Sequence, residues 1–177
     1  VSLEVFSDDL DEMYKQAKII SSWGKNIYVK IPITNSKGIS TNSIIGKLSN
    51  ERVNLNITAI FTIGQIKSVL KVLNKNASNI LSIFAGRIAD SGRDPKLLIK
   101  KSVQICKKYK RVEILWASTR EAYNIIEAIN SGSHIITAPN DIIGKIKNFN
   151  KNLLSFSKET VLMFYNDAKS SGFKIKS

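Results

Sequence analysis

The chain has 177 residues, 43% of them hydrophobic, which suffices for one domain with a sizeable core. No run approaches the roughly 18 apolar residues of a membrane span, and no charged, then apolar, then small-residue segment opens it, so it reads as soluble and cytoplasmic with no membrane partner. The net charge is +13, but the lysines are spread over several expected helices and the tail, and abundant Asn, Ile and Lys together fit an AT-rich coding bias; no nucleic-acid partner is expected.

Strand-like and helix-like segments alternate from end to end. "VSLEVF" (1–6) is followed by a helix over 8–22, with Leu10, Met13, Ala17 and Ile20 on one stripe, Ser7 as N-cap and Asp8 and Asp9 in the first turn. "NIYVKIPIT" (26–34) precedes a helix at about 40–49, and "VNLNITAIF" (53–61) precedes one at about 64–75. "NILSIFAG" (79–86) leads to a helix at about 94–109, where Asp94 and Pro95 make an N-cap and first-turn pair. "VEILWAS" (112–118) and "HIITAP" (134–139) lead to helices at about 119–130, which Gly132 follows, and 140–147; a terminal helix is expected at 157–170. The single cysteine, Cys106, falls in the amphipathic stretch "PKLLIKKSVQICKKYK", excludes an intrachain disulfide and reads as a core or semi-exposed helix residue.

Strand followed by helix, repeated at about 25 to 30 residues, calls for parallel βα units in one uninterrupted domain, 1–177. Alternation puts Tyr28, Lys30 and Pro32 on one face of their strand and Ile27, Val29, Ile31 and Ile33 on the other. If both sheet faces are covered, desolvation disfavours the Lys30 ammonium and makes it a candidate amine nucleophile; the alternative is a lysine whose stem snorkels to water. The same rule sets Glu4 with Ser2 and Phe6, sets Asn56 and Thr58 with Ile60, sets Ser82 with Phe84, and sets Ser118 with Trp116. One face is aliphatic. The other collects Glu4, Lys30, Asn56, Thr58, Ser82 and Ser118, an aligned polar row that a closed parallel barrel converges on its axis. Each alone reads as a satisfied core polar or a surface charge, as do Arg87 and Arg120 just past strand ends. Together an amine, a carboxylate, hydroxyls and two arginines are what an imine-forming enzyme for a phosphorylated ketose requires.

"VSLEV", "YVKIPIT", "LNITAIFT", "LSIFAGRI" and "ILWASTR", in this order and at these distances, resemble the transaldolase family, including its shorter branch with fructose-6-phosphate aldolase. The resemblance covers nearly the whole chain and implies a TIM (β/α)8 barrel of the class I aldolase type, of which this chain supplies about six βα units, strands 3 to 8. It implies that Lys30 is the Schiff-base lysine, that Glu4 works with a bound water in proton transfer and that Thr58 helps hold that water. Asn56 matches an active-site asparagine, Ser82 a serine that bonds the substrate's terminal hydroxyl, and Arg87, Ser118 and Arg120 the phosphate-binding groups. Phe84 is the transaldolase choice where the aldolase branch tends to tyrosine. Ile83, Ala85 and Thr119 depart from the usual Pro, Val and Phe, which puts substrate shape in doubt.

The family's first two strands, with the aspartate for carbon–carbon cleavage and an asparagine near the lysine, have no counterpart here. Six strands cannot close the barrel, and the expectation is that the two units belong to a segment not included in these residues. The leading reading is a transaldolase that transfers a dihydroxyacetone unit from a ketose phosphate to an aldose acceptor, in carbohydrate metabolism of the pentose phosphate type, as a homo-oligomer. Aldolase-like cleavage of a ketose phosphate, or a non-catalytic basic binding module, stay open beside it. No cofactor is implied and no metal, because His134 has no Cys or His partner at ligand spacing.

Overall fold

Alternating apolar and polar residues fold into six parallel strands in the computed structural model, which describes residues 1–175. These are β1 (Ser2–Glu4), β2 (Tyr28–Pro32), β3 (Leu55–Ile60), β4 (Asn79–Ile83), β5 (Val112–Trp116) and β6 (Ile135–Ile136), hydrogen-bonded in chain order. Each parallel step needs a crossover, and the helices α1 (Leu10–Ser22), α2 (Asn42–Asn50), α3 (Ile63–Val72), α5 (Lys96–Cys106) and α6 (Tyr123–Ser131) supply one between successive strands. The sheet curls into a half-barrel, part of a TIM barrel, with β1 and β6 at its edges.

Its convex face is the core. Val29, Ile31, Leu55, Ile57, Leu81 and Ile83 are fully buried under the helices, each contributing about 1.5–3 kcal/mol by leaving water. The helices meet them with the stripe expected from spacing: Met13, Ala17 and Ile20 of α1 are buried, as are Ile66, Val69 and Leu70 of α3. Cys106 belongs to this core, and burial pushes its thiol up to about 11.

Several boundaries differ from expectation for local reasons. Ser7 does not cap α1; the Asp9 carboxylate accepts the Glu12 N–H at 3.0 Å, while the Ser7 hydroxyl accepts the Asp9 N–H one step upstream. A short helix, α4 (Ala85–Asp90), starts directly at the end of β4, where a longer strand was expected. Helix α6 closes as expected with Gly132 in the left-handed region at φ 79°. Beyond β6 come α7 (Asn140–Gly144), a 3-10 turn over Lys145–Asn148 and α8 (Leu153–Ser171). None of the side chains of α8 is buried.

Two face assignments are overturned. Ile60 lies in the helix-covered core, away from Asn56 and Thr58, because β3 bulges: Ile57 pairs Leu81 but Ile60 pairs Ile83, and the extra residue is absorbed near Ala59, at φ 57°. Trp116 is fully buried in the same core and does not share a face with Ser118. The strand ends at Trp116, and Ser118, at φ 64°, turns back toward the concave side.

Candidate active site

Parallel register places Glu4 beside Lys30 and Lys30 beside Asn56, one residue from each of three adjacent strands. Neighbouring strands lie about 4.8 Å apart, so all three project from one rung into the concave face. The Lys30 ammonium approaches the Glu4 carboxylate to 3.2 Å. The concave face is open, and the Lys30 side chain is 31% exposed. The condition under which desolvation would act on Lys30, a covered concave face, is not met among the described residues; an ion pair at a cleft wall holds the side chain.

Asn56 is the hub of a polar chain whose inner members, Asn56 and Ser82, are buried and whose outer end, Ser2, is exposed. The Ser82 hydroxyl donates to its Oδ1 at 2.6 Å, and its Nδ2 donates to Ser2 Oγ at 2.9 Å, tying β4, β3 and β1 together across the cleft floor. Ser2 was missed by sequence reasoning, although its place two residues before Glu4 carried the signal. Thr58 is buried, and its Oγ1 has no hydrogen-bond partner among the described residues. A buried hydroxyl is rarely left so, and a water or substrate group is the partner such a site accommodates.

The cleft, about 740 Å³, is lined by Lys30, Asn56, Thr58, Ser82 and Phe84 and, at its C-terminal rim, by Arg87, Ser118 and Arg120. Of the site residues singled out from the sequence, all but Glu4 line this cleft, and Glu4 reaches it through its ion pair with Lys30. The two arginines are not equivalent. Arg120 donates from Nε and Nη2 to Asp90 Oδ2, at 3.1 and 2.7 Å. Arg87 makes no salt bridge among the described residues, and its guanidinium lies 5.8 Å from the Phe84 ring centre. Phe84 in turn packs on Phe61, ring centres 5.9 Å apart.

The two arms carrying these arginines touch at Gly86. A Cβ there would stand 1.6 Å from the Ser118 carbonyl oxygen, so only glycine permits the approach. His134 is structural: its Nδ1 accepts the Ile114 N–H at 3.0 Å, and no group of three or more potential metal ligands occurs among the described residues.

The arrangement suits carbonyl chemistry on a small anionic substrate: an amine, a carboxylate to exchange its proton with, a hydroxyl free to bind water, and guanidinium groups at the strand C-termini where barrel ligands bind. Comparison with known proteins gives the family. Residues 1–175 match the family model described as transaldolase/fructose-6-phosphate aldolase. "Probable transaldolase 2" of Listeria monocytogenes is 33% identical over 82% of this chain and 64% of its own length. "Probable transaldolase" of Dehalococcoides mccartyi is 37% identical over 81% of this chain and 63% of its own. The chain thus spans a little under two thirds of these curated relatives. A solved GMP reductase of Trypanosoma brucei, bound to guanosine 5'-monophosphate, matches 80% of the chain and 30% of its own with a TM-score of 0.52 at 12% identity, a likeness of fold alone.

Proposed function

The chain belongs to the transaldolase/fructose-6-phosphate aldolase family, and from that premise we propose that it carries the imine-forming site of a transaldolase that moves a dihydroxyacetone unit from a ketose phosphate to an aldose acceptor. The observation that carries this reading is the Lys30–Glu4 contact of 3.2 Å beside the unpartnered Thr58 hydroxyl. Lys30, as free amine, attacks the ketone carbon. The carbinolamine loses its oxygen as water, with Glu4 passing the proton through a water held by Thr58, and an iminium results. Cleavage of the bond between C3 and C4 releases an aldehyde and leaves its electron pair in an enamine on Lys30. The enamine adds to the acceptor aldehyde, and hydrolysis of the new iminium returns the amine. The cleavage base that the family resemblance implies is an aspartate that has no match in these residues. No metal or organic cofactor takes part in the scheme.

Arg87, Ser118 and Arg120 hold the phosphate, Ser82 the terminal hydroxyl, and Phe84 lines the cleft beside them; the resemblance, in which the aldolase branch tends to tyrosine there, is what favours transfer over aldolase-like cleavage. We place the protein in the cytoplasm, as a homo-oligomer of single barrel domains. Borohydride treatment of the protein with a ketose phosphate should fix the substrate carbons to Lys30, read by peptide mapping. Label on another lysine, or none in the full-length protein, rejects the scheme.

A further inference from the structure

Strand β5 ends at Trp116 and α6 begins at Tyr123, so the arm that brings Ser118 and Arg120 to the cleft rim is loop, 117–122. Ser118 stands in it at φ 64°, a conformation uncommon for serine. Such a residue persists where its surroundings hold it. Besides the Arg120–Asp90 pair, two side chains do so. Thr119 is buried, and its hydroxyl donates to the Thr137 carbonyl, one residue past β6, at 2.6 Å. Asn124, buried in the first turn of α6, holds the rest: its Oδ1 accepts the Arg120 N–H at 2.9 Å and the Glu121 N–H at 3.2 Å. Ala122, at the N-cap position of α6, offers no side-chain cap, so Asn124 satisfies these donors from inside the helix.

The Asn124 amide has only one orientation available. Its oxygen faces two backbone N–H groups, and on its other side Nδ2 donates to Glu127 Oε2 at 2.9 Å, an acceptor that needs a donor. The Glu127 side chain is 17% exposed, and its Oε1 pairs with Lys96 of α5 at 3.2 Å. Lys96, Glu127 and Asn124 thus form a chain from α5 through α6 to the back of the arm. None of the three lines the cleft.

We infer that Asn124 is a positioning residue for anion binding: clamped by Glu127, it sets the arm so that Ser118 and Arg120 face the substrate's phosphate. This rests on the reading of that rim as the phosphate subsite. Asn124 as a mere helix cap would make the opposite prediction. Asp caps as well as Asn, and a carboxylate in the first turn of a helix is ordinarily favourable, so Asn124→Asp would be neutral or stabilising. Here the same change sets a carboxylate against Glu127 and breaks the clamp.

Calorimetric titration of the full-length protein with inorganic phosphate tests it. Asn124→Asp should weaken binding about fivefold, the scale of one coupled contact. Asn124→Asp combined with Glu127→Gln exchanges donor and acceptor at unchanged net charge, while Lys96 keeps Asp94 at 3.7 Å. Affinity in this double variant should return to within about twofold of the wild type. Hydrogen exchange at the Arg120 and Glu121 amides should quicken in the single variant and slow again in the double. Borohydride trapping on Lys30 of dihydroxyacetone, which carries no phosphate, should be the same in every variant. Undiminished phosphate binding by Asn124→Asp, no recovery in the double variant, an equal loss of trapping, or no phosphate binding by the wild type each overturns the inference. No trapping in any of the proteins, with the phosphate pattern as expected, rejects the imine scheme and upholds the role of Asn124.

Discussion

At the scale of single residues, the site's polar groups were legible because period-two alternation within a short strand is geometry. Glu4, Lys30, Asn56 and Ser82 each sit two residues from another cleft-facing position, and strand register then sets Glu4, Lys30 and Asn56 on one rung. What alternation could not supply is the partner of each charge. Arg120 is held by Asp90 from another loop, and Arg87 is left available. The two arginines should therefore differ in function. Arg87→Ala is expected to raise the Michaelis constant for a ketose phosphate roughly 10- to 100-fold, as loss of a charge-assisted bond implies. It should barely affect the unphosphorylated analogue. Arg120→Ala should have the smaller effect, because its guanidinium already has a carboxylate. Steady-state kinetics of the full-length enzyme with both substrates decides this, and equal effects on the two would make Arg87 structural.

At the scale of elements, the strands and crossover helices followed from periodicity, while the exceptions arise where the backbone takes a left-handed residue. Ala59 and Ser118, at φ 57° and 64°, shift Ile60 into the core and Ser118 into the cleft, and neither residue type announces such a conformation. Valine ordinarily favours a strand, yet Ala59→Val should destabilise the protein by about 1–2 kcal/mol, since a β-branched side chain at positive φ is strained. Thermal unfolding measures it; an unchanged or higher midpoint would contradict the bulge. The glycine of "GRI" is legible only as a punctuation mark until the Ser118 carbonyl is seen against it. Gly86→Ala forces the arms bearing Arg87 and Arg120 apart by more than a side chain can absorb. Expected are a loss of about 1–3 kcal/mol and weaker competition by inorganic phosphate against a ketose phosphate. Phosphate inhibition at wild-type strength would show that the two arms do not act together.

At the scale of the whole molecule, a half-barrel with edges at β1 and β6 carries a 19-residue helix with no buried side chain. Helix α8 exposes eight large apolar residues, among them Leu154 at 83%, Val161 at 61%, Phe164 at 60% and Tyr165 at 62%. Single exposed apolar residues are ordinary, but a contiguous patch of several hundred Å² is not. A terminal helix was readable from sequence over 157–170, but not its start four residues earlier at Leu153; nor was its lack of a partner, because amphipathic spacing says which face is apolar and not what covers it. Leu154, Val161 and Tyr165 recur at spacings of seven and four, a stripe that a second copy can meet with the same stripe. About 800 Å² per partner makes a stable interface, which aromatic and aliphatic side chains of this number approach. The full-length protein should therefore elute as an oligomer in size exclusion with light scattering. Val161→Glu with Tyr165→Glu should shift it toward monomer while leaving helix content and the borohydride adduct on Lys30 unchanged. An oligomer that survives both substitutions would assign assembly to another surface, and a wild-type monomer would mean that α8 closes on its own chain.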